Sequence, residues 1–249
     1  MKPYLIEVCV NSVESGLAAE QAGAQRIELC DNLQEGGTTP SFGTIKQAKE
    51  LLKLAVNVLI RPRAGDFLYT PSEMKIILDD IRMAVDLGAD GIVCGSLTPT
   101  GEINLIQLEQ MLEACGSVPF TFHRAFDLVA DPFESLKKLQ RMEVKRLLTS
   151  GLAPKAEEGI PVLKELVKAA GDEIIILPGS GIRAHNIIRI ARETEAREFH
   201  VSGRNRFPSE MIFQRGGVPM GARADLSEYE HERTDPTIIQ AILSNLTKL

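Results

Sequence analysis

No apolar run in this chain approaches the ~18–20 residues that a membrane-spanning helix requires. The longest candidates are short strand-like runs such as EIIILPG at 173–179. Nothing at the N-terminus reads as a leader peptide either, because Lys2 is followed by an apolar run that Glu7 already interrupts. The expectation is a soluble chain whose mature form starts here and which has no membrane partner. Cysteine is sparse, with residues 9, 30, 94 and 115 and no C-x-x-C spacing, so neither a disulfide framework nor a zinc ribbon is indicated. A reducing cytoplasm fits that usage. A basic surplus is also lacking: 28 Lys and Arg stand against 34 Asp and Glu, a formal net charge of -6, which argues against a nucleic-acid partner. No H-E-x-x-H, His-x-His or paired-Asp motif appears, so a zinc or magnesium hydrolase is not signalled, and neither is a catalytic triad.

What the chain does have is alternation. Short β-branched runs fall at 4–10, 26–30, 57–63, 91–97, 120–126, 144–151, 173–181 and 198–203. Amphipathic stretches separate them, such as SEMKIILDDIRMAVDLG, where Met74, Ile77, Ile81 and Val85 recur at helical spacing. Ser12, Ser72 and Asp131 read as N-caps, and Gly23, Gly88, Gly116 and Gly171 as helix stops. Eight βα units predict an α/β fold of the TIM (β/α)8 barrel type, one domain over residues 1–249. An open doubly wound sheet is the alternative, but no G-x-G-x-x-G follows the first strand. Residues 204–234 break the alternation with a stretch lacking sustained periodicity, which suits a functional loop or a homo-oligomer contact. Asp235 and Pro236 then open a last helix.

In such barrels, function sits at the C-terminal ends of the strands. The first two strands repeat an Ile-Glu-x-Cys pattern, giving Glu7 with Cys9 and Glu28 with Cys30 on shared strand faces. Later strand ends add Arg61 and Arg63, Cys94, His123 with Arg124 and Asp127, Thr149 and Ser150, and His200 with Ser202. Buried carboxylates need partners, and Arg61, Arg63 or Arg124 would serve Glu7 or Glu28. A Glu–Arg lattice that merely fills the barrel end is the plain structural reading. Against it, Leu5, Ile27, Val58, Ile92 and Ile175 near the strand starts are apolar.

After strands 7 and 8 come PGSGIR and HVSGR, where Gly179, Gly181, Ser202 and Gly203 allow close backbone approach to an anion and Arg183 and Arg204 add charge. The turn-rich loops EGGTTPS and RPRAGDFLYTPSE suit lids, with Phe67 and Tyr69 as covering aromatics.

The strand 1 and RIELC motifs, EGGTTPS, the IRPR…GDF…Y run, GADGIV, TFHRAFD, LTSG, PGSGI and EFHVSGR, taken in order from Ile6 to about Gly221, together resemble the CutC family of copper homeostasis proteins. The resemblance implies a cytoplasmic TIM-barrel-like protein of copper tolerance, with Cu(I) on Cys9 and Cys30 as the metal ligands. From the residues alone, a second reading stays open. It is an enzyme acting on a small anionic or phosphorylated metabolite, with Glu7, Glu28 and His123 as acid-base groups. Arg61, Arg63, Arg124 and the glycine loops would then bind the anion.

Overall fold

The computed structural model describes residues 4–218 and 227–249. Eight strands run parallel in one sheet: β1 Leu5–Val10, β2 Arg26–Leu29, β3 Ala55–Leu59, β4 Gly91–Cys94, β5 Phe120–Phe122, β6 Arg146–Thr149, β7 Ile175–Pro178 and β8 Glu198–Val201. Their order, β7-β6-β5-β4-β3-β2-β1-β8, brings the last strand against the first. β7 and β8 lie side by side and complete the ring. Helices α1 Val13–Gln21, α2 Phe42–Leu51, α3 Pro71–Asp86, α4 Leu105–Cys115, α5 Pro132–Arg141, α6 Ile160–Ala170, α7 Ile187–Thr194 and α8 Pro236–Leu246 surround it. This is the predicted (β/α)8 barrel.

Ile6, Val8, Ile27, Val58 and Ile92 are fully buried in the layer between sheet and helices. Each such side chain contributes about 1.5–3 kcal/mol of burial free energy. Cys94 belongs to that layer as well, so it faces away from the barrel interior. The alternate positions of the same strands point inward, and there the expectation of an apolar lower barrel is corrected. Register sets Glu7 of β1 beside Arg26 of β2 and His200 of β8, and Glu28 beside Asn57 of β3. Of the apolar residues near the strand starts, Ile27, Val58 and Ile92 belong to the outer face, whereas Leu5 and Ile175 share the face of Glu7 and Arg146, and the interior level above them is ionic.

Three details depart from the sequence reading. Strand 3 ends at Leu59 because Arg61 and its neighbours leave the sheet to bind loops, and strand 5 ends at Phe122 because His123 caps a 3-10 turn over Arg124–Leu128. Helix α3 is capped by Thr70 and not Ser72: Pro71 takes the first helical position, and Thr70 and Glu73 bond reciprocally in a capping box. The aperiodic segment contains an antiparallel ribbon, β9 Arg204–Pro208 paired with β10 Glu230–Thr234, anchored where the Thr234 N–H donates to Ser15 Oγ at 3.2 Å. The Val-Pro-Met-Gly end of the resemblance, from Pro219 on, lies outside the described residues. Asp131 and Asp235 cap α5 and α8 as predicted, each followed by proline.

Candidate functional site

Two levels of polar residues fill the barrel. At the lower one, Glu7 accepts from Arg26 Nε at 2.5 Å, from Asn57 Nδ2 at 3.0 Å and, on its other oxygen, from His200 Nδ1 at 2.9 Å. Arg26 also reaches Glu198 at 2.6 Å, and Arg146 closes the chain on Glu198 at 2.8 Å. Gly91 belongs to this level because a Cβ there would lie 2.2 Å from Asn57 Oδ1. Burial alone would raise the Glu7 pKa, but the Arg26 guanidinium and the His200 bond outweigh it and hold the carboxyl down at about 2. Arg26, Asn57 and His200 therefore do for Glu7 what was expected of Arg61, Arg63 or Arg124.

One level up, Cys9 Sγ and Cys30 Sγ approach to 3.7 Å. Cys30 Sγ donates to Glu28 Oε2 at 3.3 Å, and His200 Nε2 lies 3.7 Å from the same carboxyl oxygen. The bond from Cys30, helped by the nearby His200, lowers the Cys9 thiol well below its ordinary value. Burial pushes Cys30 well above it. Burial also lifts Glu28 to about 8, only partly offset by His200. His200 resists its own desolvation, because Glu28, Cys9 and Glu7 together raise it well above 6.5. Cys9, Glu28 and Cys30 place ligating atoms within 4.8 Å of one another, and so do Glu7, Glu28 and His200. The EGG loop closes over this pair, since a Cβ on Gly37 would fall 3.7 Å from Cys30 Sγ and 2.6 Å from Leu59.

Above the thiols opens a cavity of about 300 Å³, lined by Cys9, Glu28, Arg61, Phe67, His123 and His200 and by the loop at 180–183. Arg61 is 6% exposed and donates to the carbonyls of Glu35, Gly37 and Gly65, with its guanidinium 4.9 Å over the Phe67 ring. Phe67 is thus the covering aromatic, 4.7 Å from the His123 ring. His123 takes the Ala125 N–H on Nδ1 at 3.3 Å, which leaves the proton on Nε2; burial and the Arg61 charge press its pKa down to about 3. A neutral ring at the cavity wall follows. Asp127 is committed to the end of β6, accepting from Thr149 Oγ1, the Ser150 N–H and Arg124.

Other predicted positions fall elsewhere. Arg63 turns outward to Asp66 and Glu73 and is absent from the cavity wall. Gly203 packs under α8, where a Cβ would lie 2.4 Å from Ile239. Gly179 is pinned between Leu148 and His200, whereas Gly181, Ser202 and Arg124 do line the cavity. Sequence reasoning passed over Arg26, Asn57, Arg146 and Glu198. The available signal was parity for three of them: Arg26, Asn57 and Glu198 stand an even number of residues from Glu28, Arg61 and His200.

A parallel (β/α)8 barrel with a thiol, imidazole and carboxyl cluster at its C-terminal mouth defines the class of protein. Residues 4–205 match the model of the CutC family, and the chain belongs to that family. It is 47% identical over 248 residues to a CutC family protein of Bacteroides fragilis, covering 99% of each chain. It is 45% identical to the copper homeostasis protein cutC homolog of Homo sapiens, covering 96% of this chain and 88% of that one. Among solved structures, the CutC protein of Streptococcus agalactiae superposes with a TM-score of 0.77 at 37% identity, over 80% of this chain and 98% of that one. A phosphoribosylanthranilate isomerase of Pyrococcus furiosus, at 12% identity and a TM-score of 0.58 over 99% of this chain and 100% of that one, shares the barrel fold alone.

Proposed function

We propose that this chain is a cytoplasmic copper homeostasis protein that holds Cu(I) between the Cys9 and Cys30 thiolates at the barrel mouth. The observation that carries the reading is the pair of sulfurs from neighbouring strands, 3.7 Å apart and beside a cavity. Soft thiolates select Cu(I) over the hard cations that carboxylates prefer. All four cysteines are free thiols, as a reducing compartment requires. The copper names of relatives such as the human homolog point the same way.

The residues divide the work. Cys9 is the thiol already inclined to ionise, while Cys30 must release its proton when metal arrives. Glu28 Oε2 lies 3.3 Å from Cys30 Sγ, so an ionised Glu28 is the acceptor nearest to that proton. His200, fixed by its bond to Glu7, sets a positive charge beside the thiolates and offsets their negative charge.

Anaerobic titration of the reduced protein with Cu(I) against a competing chelator tests this. The expected result is stoichiometric capture by the wild type, lost in Cys9→Ser/Cys30→Ser while the far-UV circular dichroism stays unchanged. A double variant that competes as well as the wild type would sink the proposal.

A further inference from the structure

The cavity above the thiols has a charge balance opposite to that of the chain. Its wall carries Arg61, Arg124, Arg183 and Arg204 against the single carboxyl of Glu28, in a protein of formal charge -6. Two of the four arginines are already matched, Arg124 by Asp127 at 2.7 Å and Arg204 by Glu232 at 2.8 Å. Arg61 and Arg183 form no ion pair among the described residues; Arg61 bonds only to backbone carbonyls, and Arg183 to Ser202 Oγ and the Ile182 carbonyl.

Two buried donors in this wall have no acceptor among the described residues. Arg61 Nε and His123 Nε2 are both without partners, in residues 6% and 4% exposed. Leaving a buried guanidinium without counter-charge is costly, and a fold tolerates it where a ligand completes the set. Across the mouth, the backbone N–H groups of Ser180, Gly181 and Ile182 make no backbone–backbone bond among the described residues. Ser180 holds a left-handed φ of 77° there, a conformation that costs a non-glycine residue energy and that gathers at ligand-binding loops.

We propose that this cavity binds a small organic dianion, one acid group meeting Arg61 and His123 Nε2–H and the second meeting Arg183 and the N–H groups of the 180–182 loop. A volume of about 300 Å³ admits a metabolite-sized acid and no macromolecule. Phe67, stacked on Arg61 and beside His123, supplies the apolar wall that keeps water from competing for these bonds. A carboxylate and a phosphoryl group each offer a pair of oxygens that a guanidinium fork can bind bidentately, so the shared chemistry is oxyanion recognition. The proposed contacts use none of the sulfur atoms, and Cys9 borders the same cavity without meeting either acid group.

The test is isothermal titration of the reduced, metal-free protein with succinate, with 2-phosphoglycolate and with inorganic phosphate. One saturable site per chain is expected for an organic dianion, with inorganic phosphate weaker because it spans only one end. Preference for 2-phosphoglycolate over succinate assigns a phosphoryl group to one pole, and the reverse assigns two carboxylates. Arg183→Met should weaken binding about tenfold or more, the loss of one charge-assisted bond, while Cys9→Ser/Cys30→Ser keeps it. Arg61→Lys should weaken it similarly, but Arg61 also ties three loop carbonyls, so Arg183→Met decides if that variant fails to fold. The proposal is overturned if none of the three saturates at about 10 mM, tenfold above a ~1 mM dissociation constant, or if Arg183→Met binds like wild type.

Discussion

The two polar levels inside the barrel both bury ionisable groups and behave in opposite ways. Below, Glu7, Arg26, Asn57, Glu198 and Arg146 satisfy one another through bonds of 2.5–3.0 Å. Above, two thiols contact each other, a carboxyl lifted to about 8 shares an oxygen with a thiol and an imidazole, and two buried donors have no acceptor among the described residues. Saturation marks the part that holds the barrel together, and incompleteness marks the part we propose to meet a ligand. The Glu–Arg lattice that competes with a functional reading is therefore real, and it sits one step below the site.

Breaking the lower level should have the largest effect. Glu7→Ala leaves Arg26 buried with half its counter-charge, and removal of one partner from such a pair costs about 3–5 kcal/mol. Cys9→Ala, one level up, should cost only about 0.5–1.5 kcal/mol, the value of one buried heavy atom. Urea denaturation of both variants measures the contrast, and equal losses would erase the distinction between the levels.

His123 sharpens the comparison through pH. Its folded pKa of about 3 lies below the ordinary 6.5, so the unfolded chain binds the extra proton and stability falls as pH drops through the window from 6.5 towards 3. Between pH 6.5 and 5 that loss amounts to about 2 kcal/mol, and His123→Asn should remove it from the denaturation curves. An unchanged pH slope in the variant would show that His123 is not held neutral.

The smallest effect belongs to Arg63, whose bonds to Asp66 and Glu73 lie on the surface. Arg63→Ala should cost under about 1 kcal/mol and leave Cu(I) binding intact, as a thermal melt and a titration would show.

The doubled Ile-Glu-x-Cys pattern made the upper level and the Glu7 below it legible, because parity alone places Glu7, Cys9, Glu28 and Cys30 on one face and a closed barrel makes that face the interior. Cap residues such as Asp131 and Asp235, each before a proline, fixed helix starts to the residue. The partners of Glu7 were harder to read. Arg26 and Glu198 are the first residues of their strands, where a charge reads as a solvated end until the register shows it meeting Glu7 or Arg26 across the barrel. Arg61 and Arg63 look equivalent in sequence, yet both lie beyond the end of β3 at Leu59, and only the first turns inward. The β9–β10 ribbon escaped because Arg-Asn-Arg-Phe-Pro and Glu-His-Glu-Arg-Thr carry no apolar alternation and pair across a long connection.

The central claim is that the thiol pair is the metal site, and copper K-edge X-ray absorption of the reduced protein loaded with one equivalent of Cu(I) addresses it directly. The account predicts an inner shell with two sulfur neighbours that disappears in Cys9→Ser/Cys30→Ser. A shell of nitrogen and oxygen alone in the wild type would contradict it and make the sulfurs part of the packing.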